Sequence, residues 1–370
     1  MTSSADPTPA AKHSLSNSHD TPVQNPVGLC GLEFIEFSSP EPQNLERLFK
    51  DFGFAPTMVH GSLAIDRYTQ GQINILLNRS GGSFAHGFHQ LHGPSIPSMG
   101  WRVQNAEQAF KIAVSRGAKP AQKKDYAYDD GEIPAIYGIG DSLIYFVDRW
   151  NRPAPYNLYE KMGFVKNPNV PVVEPKGFTV IDHLTNNVPQ GTMAQWSEFY
   201  KKIFGFVDIR YFDIRGVKTG LTSYALKSPC GTFCIPINEG TEKKSQINEY
   251  LEEYKGAGIQ HLAFATEDIV STLKRLQSTQ IETLSIDDDY YAEVFQRVPN
   301  VTEDHRTLRD LQILVDGDEE GYLLQIFTKN VVGPIFIEII QRKNHFAFGE
   351  GNFGALFRSL ERDQERRGVL

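Results

Sequence analysis

Apolar residues along the chain first alternate and then recur at helical spacing, and this sequence of patterns occurs twice. Leu32, Phe34, Ile35 and Phe37 predict a strand that Ser38-Ser39-Pro40-Glu41-Pro42 stops. Leu45, Leu48, Phe49 and Phe52 then predict a helix ending at Gly53-Phe54. The same order returns with Ile181-Asp182-His183-Leu184 as the strand, Met193, Trp196, Phe199, Tyr200 and Ile203 as the helix, and Gly205-Phe206 as its end. A half-unit repeats as well: Gly93 to Trp101 aligns with Gly256 to Phe264, and a helix follows each. One of these helices carries Phe110, Ala113 and Val114, the other Ile269, Leu273 and Leu276. The reading is four modules of strand, helix and three strands (βαβββ), starting near Gly31, Met99, Ile181 and His261. Paired modules predict an α+β protein of two domains, in which the sheets cup around a cavity.

The boundaries follow from composition. Residues 1–27, rich in Ser, Thr, Pro, Ala and Asn, predict a disordered tail. An N-terminal domain is expected over 28–152, a linker with five prolines over 153–175, and a C-terminal domain over 176–370.

The last predicted strand, Ile335-Phe336-Ile337-Glu338-Ile339-Ile340, places a carboxylate inside an apolar run. Burying it bare is too costly, so Glu338 needs a partner, and period two puts it with Phe336 on a cavity-facing side. Beyond it, Gly349 and Gly351 precede a helix, 352–370, with Phe353, Leu356, Phe357 and Leu360 on one stripe and Glu361, Arg362, Glu365 and Arg366 opposite. That pattern fits a closing lid and a fixed brace equally well.

Superposing the repeats supplies candidate chemistry. His183 falls opposite Phe34, His261 opposite Ser98 and Glu338 opposite Tyr145, so only the second half carries the polar groups. Two His and one carboxylate from three strands suit a facial triad with open coordination positions, as in non-haem iron(II) oxygenases; hydrogen-bonded core histidines are the alternative. His86, His89 and His92 recur every third residue without a carboxylate, and are expected to form a solvated helix end rather than a metal site. Ser223, Asn238, Gln246, Gln260 and Gln325 sit at apolar-flanked positions and offer neutral hydrogen-bonding groups. No Lys or Arg occupies those positions, so a substrate carboxylate would have to be taken by the metal, as in chelation of a 2-oxo acid.

Charge narrows the partners. A net charge of -8 without a basic block argues against nucleic acid and anionic membranes, and no apolar run approaches a membrane span. Cys30, Cys230 and Cys234 have no scaffold spacing, and no secretory signal precedes them, so a reducing cytoplasm is expected. The Cys230/Cys234 pair lacks a second half-site and is read as packing.

Several long motifs resemble the 4-hydroxyphenylpyruvate dioxygenase family: Phe336-Ile337-Glu338-Ile339-Ile340-Gln341-Arg342, Phe348-Gly349-Glu350-Gly351-Asn352-Phe353, Lys244-Ser245-Gln246-Ile247, Pro236-Ile237-Asn238-Glu239 and Gly258-Ile259-Gln260-His261-Leu262. The resemblance covers nearly all of the chain after the tail. It implies the vicinal-oxygen-chelate fold, with iron(II) held by His183, His261 and Glu338 and the 352–370 helix as a lid. The implied activity is conversion of 4-hydroxyphenylpyruvate and O2 to homogentisate and CO2 in tyrosine catabolism. It further implies catalytic roles for Asn238, Gln260 and Gln325, and substrate contacts from these and from Ser223, Gln246, Phe336, Phe348, Asn352 and Phe353. A homo-oligomer, dimer or tetramer, is expected. One departure is Phe346-Ala347-Phe348 in place of a glycine-richer run, which is expected to stiffen the hinge. The alternatives are 4-hydroxymandelate synthase, which tends to carry a smaller aliphatic at the Phe336 position, and a non-catalytic aromatic-binding protein of the same fold.

Overall fold

A computed structural model describes residues 24–125, 133–215 and 218–368. The first half runs β1 (Leu29–Ser38), α1 (Pro42–Asp51), β2 (Ala55–His60), β3 (Ile65–Gln70), β4 (Ile73–Asn78), α2 (Phe84–His92), β5 (Ser95–Val103), α3 (Ala106–Ser115), β6 (Ala135–Tyr137), β7 (Leu143–Val147), α4 (Leu158–Lys161) and β8 (Phe164–Lys166). The second half runs β9 (Phe178–Asn187), α5 (Met193–Phe204), β10 (Val207–Arg215), β11 (Gly220–Lys227), β12 (Cys234–Gly240), α6 (Gln246–Glu253), β13 (Gly258–Thr266), α7 (Ile269–Leu276), α8 (Asp288–Arg297), α9 (His305–Asp310), β14 (Leu314–Gly317), β15 (Tyr322–Phe327), β16 (Phe336–Lys343) and α10 (Phe353–Arg366).

Each half builds one eight-stranded sheet, in the orders β6-β7-β5-β1-β4-β3-β2-β8 and β10-β11-β12-β9-β13-β16-β15-β14. This is the vicinal-oxygen-chelate arrangement of α+β modules. In both sheets the opening strands of the two modules, β1 with β5 and β9 with β13, pair antiparallel at the centre. One apolar core joins the halves: Phe52 and Phe54 pack on Phe178 and Phe264, and Trp101 packs on Phe204.

Strand register accounts for the difference between the halves. Phe34, Gly100 and Tyr145 lie side by side across β1, β5 and β7; His183, Ala263 and Glu338 do the same across β9, β13 and β16. A Cβ on Gly100 would come within 2.3 Å of the Phe34 ring, so the glycine makes room for that ring over the strand. Phe34 and Tyr145, with Leu158, Tyr159, Met162 and Phe164 from the α4–β8 segment, fill the hollow of the first sheet with apolar side chains.

Three expectations change. The second module contributes only β6 and β7 after its helix among the described residues; the eighth strand is β8, from within the expected linker, and it covers the edge of β2. The expected tail, 1–27, falls largely outside the described residues, but Val27 is buried and Asn25 is hydrogen-bonded to Leu29. Two of the three α2 histidines are not solvated: His89 Nδ1 lies 2.6 Å from Ser38 Oγ, His92 Nδ1 lies 2.6 Å from the Tyr254 carbonyl, and both rings are buried, while His86 stays partly exposed. Packing of α2 on β1 and β5 covers His89, and Tyr254 of the second half covers His92.

Candidate metal centre

Three parallel or antiparallel neighbours, β9, β13 and β16, bring His183, His261 and Glu338 to one point of the second sheet. His183 Nε2 is 3.0 Å from Glu338 Oε2 and 3.3 Å from His261 Nε2, and His261 Nε2 is 3.4 Å from the same carboxylate oxygen. Donors about 2.1 Å from one ion at adjacent octahedral positions would stand about 3 Å apart, so this set fits a divalent metal with its remaining positions open. The three side chains are buried and form the one candidate metal cluster among the described residues.

Outer partners set the ring orientations. Asp182 Oδ1 accepts from His183 Nδ1 at 2.9 Å, and Gln260 Oε1 accepts from His261 Nδ1 at 2.9 Å, which turns both Nε2 atoms toward the shared point. Arg342 clamps Asp182 through two bonds of 2.8 Å. Burial opposes charge on His183, but the carboxylates of Glu338 and Asp182 outweigh it and raise the ring to about 9. Burial likewise opposes charge on Glu338, yet His183 and His261 draw its carboxyl down to about 2. Burial, with the nearby His183 charge, keeps His261 below its ordinary value.

Over the triad lies a cavity lined on one side by strands and on the other by α10. Of the expected substrate residues, Ser223, Asn238, Gln246, Gln260, Phe336, Phe348 and Phe353 line it. Ser223 and Asn238 face each other across β11 and β12. Leu356, Phe357 and Leu360 complete the wall, so the apolar stripe of α10 faces the cavity.

Two expected contacts do not reach the wall. Asn352 is fully buried, with Oδ1 taking a 2.6 Å hydrogen bond from the Tyr290 hydroxyl. Gln325 packs beneath Gly349, whose φ of +77° allows an approach in which a Cβ would meet Gln325 Nε2 at 2.5 Å. Conversely, sequence reasoning missed Thr185, whose hydroxyl is 3.0 Å from His261 Nε2, and Phe327, Phe212 and Ile214 on the wall. Period two from His183 marks Thr185 and period two from Gln325 marks Phe327; nothing local marks Phe212 or Ile214, because the edge strand β10 is mostly exposed.

Fold and site together define a protein of the glyoxalase/dioxygenase superfamily with a candidate metal site. The family described as "Hydroxyphenylpyruvate dioxygenase, HPPD, N-terminal" matches residues 23–165, and the "Glyoxalase/Bleomycin resistance protein/Dioxygenase superfamily" matches 180–325. Protein MelA of Shewanella colwelliana is 55% identical over 94% of this chain and 99% of its own length. The 4-hydroxyphenylpyruvate dioxygenase of Pseudomonas aeruginosa is 45% identical over 94% and 97%. Among solved structures, a mutant 4-hydroxymandelate synthase from Streptomyces coelicolor shares the fold, with a TM-score of 0.77 and 23% identity over 91% of this chain and 99% of that one. The chain belongs to the 4-hydroxyphenylpyruvate dioxygenase family.

Proposed function

We propose that this enzyme converts 4-hydroxyphenylpyruvate and O2 to homogentisate and CO2 in tyrosine catabolism, with iron(II) held by His183, His261 and Glu338. The observation that carries the reading is the convergence of the three donor atoms at the floor of a cavity whose described lining has no Lys or Arg. Iron bound there would supply both the chelation of the 2-oxo acid and the activation of O2.

The chain supplies position and dryness. Asp182 and Gln260 hold each imidazole with its Nδ1–H occupied. Ser223, Asn238, Gln246 and Gln260 offer neutral donors and acceptors that can fix the phenol and keto acid without adding charge. Phe336, Phe348 and Phe353 wall the ring of the substrate, and α10 excludes water from above. Gln325, buried beneath Gly349, supports the segment that leads into α10.

A homo-oligomer in the cytoplasm fits the same picture. The three cysteines are free, as suits a reducing compartment, and the exposed Val207, Ile209 and Tyr211 on edge strand β10 give a second copy apolar surface to cover. No helix among the described residues is long and apolar enough to cross a membrane.

The test is anaerobic loading with iron(II), addition of 4-hydroxyphenylpyruvate, then air, with product identified by mass and NMR. Homogentisate and CO2 in equal amounts are expected. 4-Hydroxymandelate as the main product, or ligand binding without oxygen uptake, would replace the assignment.

A further inference from the structure

Arg342 stands at the end of β16, four residues beyond Glu338, and its guanidinium is shared between two parts of the site. Through Nε and Nη2 it grips both oxygens of Asp182, the residue that holds His183 Nδ1. Through Nη1 it donates to the carbonyls of His345 at 3.1 Å and Ala347 at 2.6 Å, in the segment that leads into α10. It also faces the ring of Phe348, 5.9 Å from its centroid, and that ring stands edge-on to His183 with centroids 5.5 Å apart. The path from His183 through Asp182 and Arg342 to Phe348 therefore closes on itself by direct contact.

A planar guanidinium offers five N–H donors in a fixed fork, so the direction of its Asp182 contact also fixes the direction of its carbonyl contacts. The Arg342 and Asp182 side chains are 16% and 17% exposed, so little water is present to replace a lost bond. We propose that Arg342 is a positioning residue that couples metal ligation at His183 to the placement of the 345–348 segment and its cavity-wall residue Phe348. Resting on the metal reading of the triad, this adds a reciprocal consequence: an ion that fixes His183 steadies the segment, and a steadied segment tightens the hold on the ion.

Hydrogen exchange of amides 345–348, with cobalt(II) titration as the metal readout, tests the coupling in the full chain. In the wild type, saturating cobalt should slow exchange at 345–348. Arg342→Lys, which keeps the charge but loses the fork, should weaken cobalt binding by about tenfold or more and speed exchange at 345–348. Asp182→Asn, which removes one of the two acceptors that orient the fork, should likewise weaken cobalt binding and speed exchange at 345–348, as the coupling through Asp182 requires. The proposal is overturned if Arg342→Lys binds cobalt within twofold of wild type, or if its 345–348 amides exchange as in wild type. Should Arg342→Lys fail to fold, the wild-type exchange with and without cobalt decides alone, and no difference overturns the coupling. A wild type that binds no divalent metal would instead remove the functional reading beneath it.

Discussion

Phe336 lies stacked against His261, with ring centroids 4.8 Å apart and planes 19° from parallel. The ring thus forms a wall directly beside a candidate metal ligand, and on the proposed function its bulk would set which part of a bound substrate can approach the reactive position. Phe336→Val or Phe336→Ile should open that side and divert part of the product from homogentisate to 4-hydroxymandelate. Chromatography of the products decides the matter; homogentisate alone at an unchanged rate would remove Phe336 from the control of specificity.

The triad itself makes a stricter demand. His183→Ala, His261→Ala and Glu338→Ala should each bring turnover below detection, because every one of them removes a third of the protein ligands. Their far-UV circular dichroism should remain that of the wild type, since the replaced groups line the cavity and lie outside the apolar core. Near-normal activity with full iron occupancy in any one variant would disprove the assignment.

Acid–base behaviour of the metal-free site follows from the pair His183 and Glu338. The His183 ring is raised from 6.5 to about 9, so its charge adds stability that is complete below pH 6.5 and lost as pH rises through 9. Glu338 is lowered from 4.5 to about 2, so its contribution is complete above pH 4.5 and lost as pH falls through 2. The pair therefore supports the metal-free fold best between pH 4.5 and 6.5. A metal ion needs the neutral ring, so binding at about pH 7.5 should release roughly one proton. Calorimetry in two buffers of different ionisation enthalpy measures this, and binding without proton release would contradict a charged His183.

The helix α10 is latched from several sides. Glu361 Oε1 accepts the backbone N–H groups of Lys218 and Thr219 at 2.9 Å, Gln364 donates to Glu249 at 2.8 Å, and Arg367 also pairs with Glu249. Deleting 352–370 should leave iron binding in place but admit water above the triad, so that oxygen consumption becomes uncoupled from homogentisate. Glu361→Ala leaves two backbone donors without their acceptor and should weaken the latch by about 1–3 kcal/mol, seen as faster exchange along α10. A truncated protein making homogentisate in a one-to-one ratio with oxygen consumed would show that the helix is only a brace.

The amino-acid sequence by itself determined the modular plan and the composition of the centre. Hydrophobic periodicity is local, so strands, helices and their repetition could be read directly, and the repeats aligned Phe34, Ser98 and Tyr145 with His183, His261 and Glu338. The strand registers support that alignment, because a shared module imposes a shared pairing. What periodicity assigns is a face of a strand; it leaves open the depth of a side chain and the partner that meets it. Tertiary structure decided that Gln325 lies under Gly349 and that Asn352 turns to Tyr290, away from the cavity. It also brought His92 to the Tyr254 carbonyl and Arg342 to Asp182, pairs far apart in the chain. Those contacts depend on how two modules, a terminal helix and a closing loop come to rest against one another, and no local pattern of apolar and polar residues encodes that geometry.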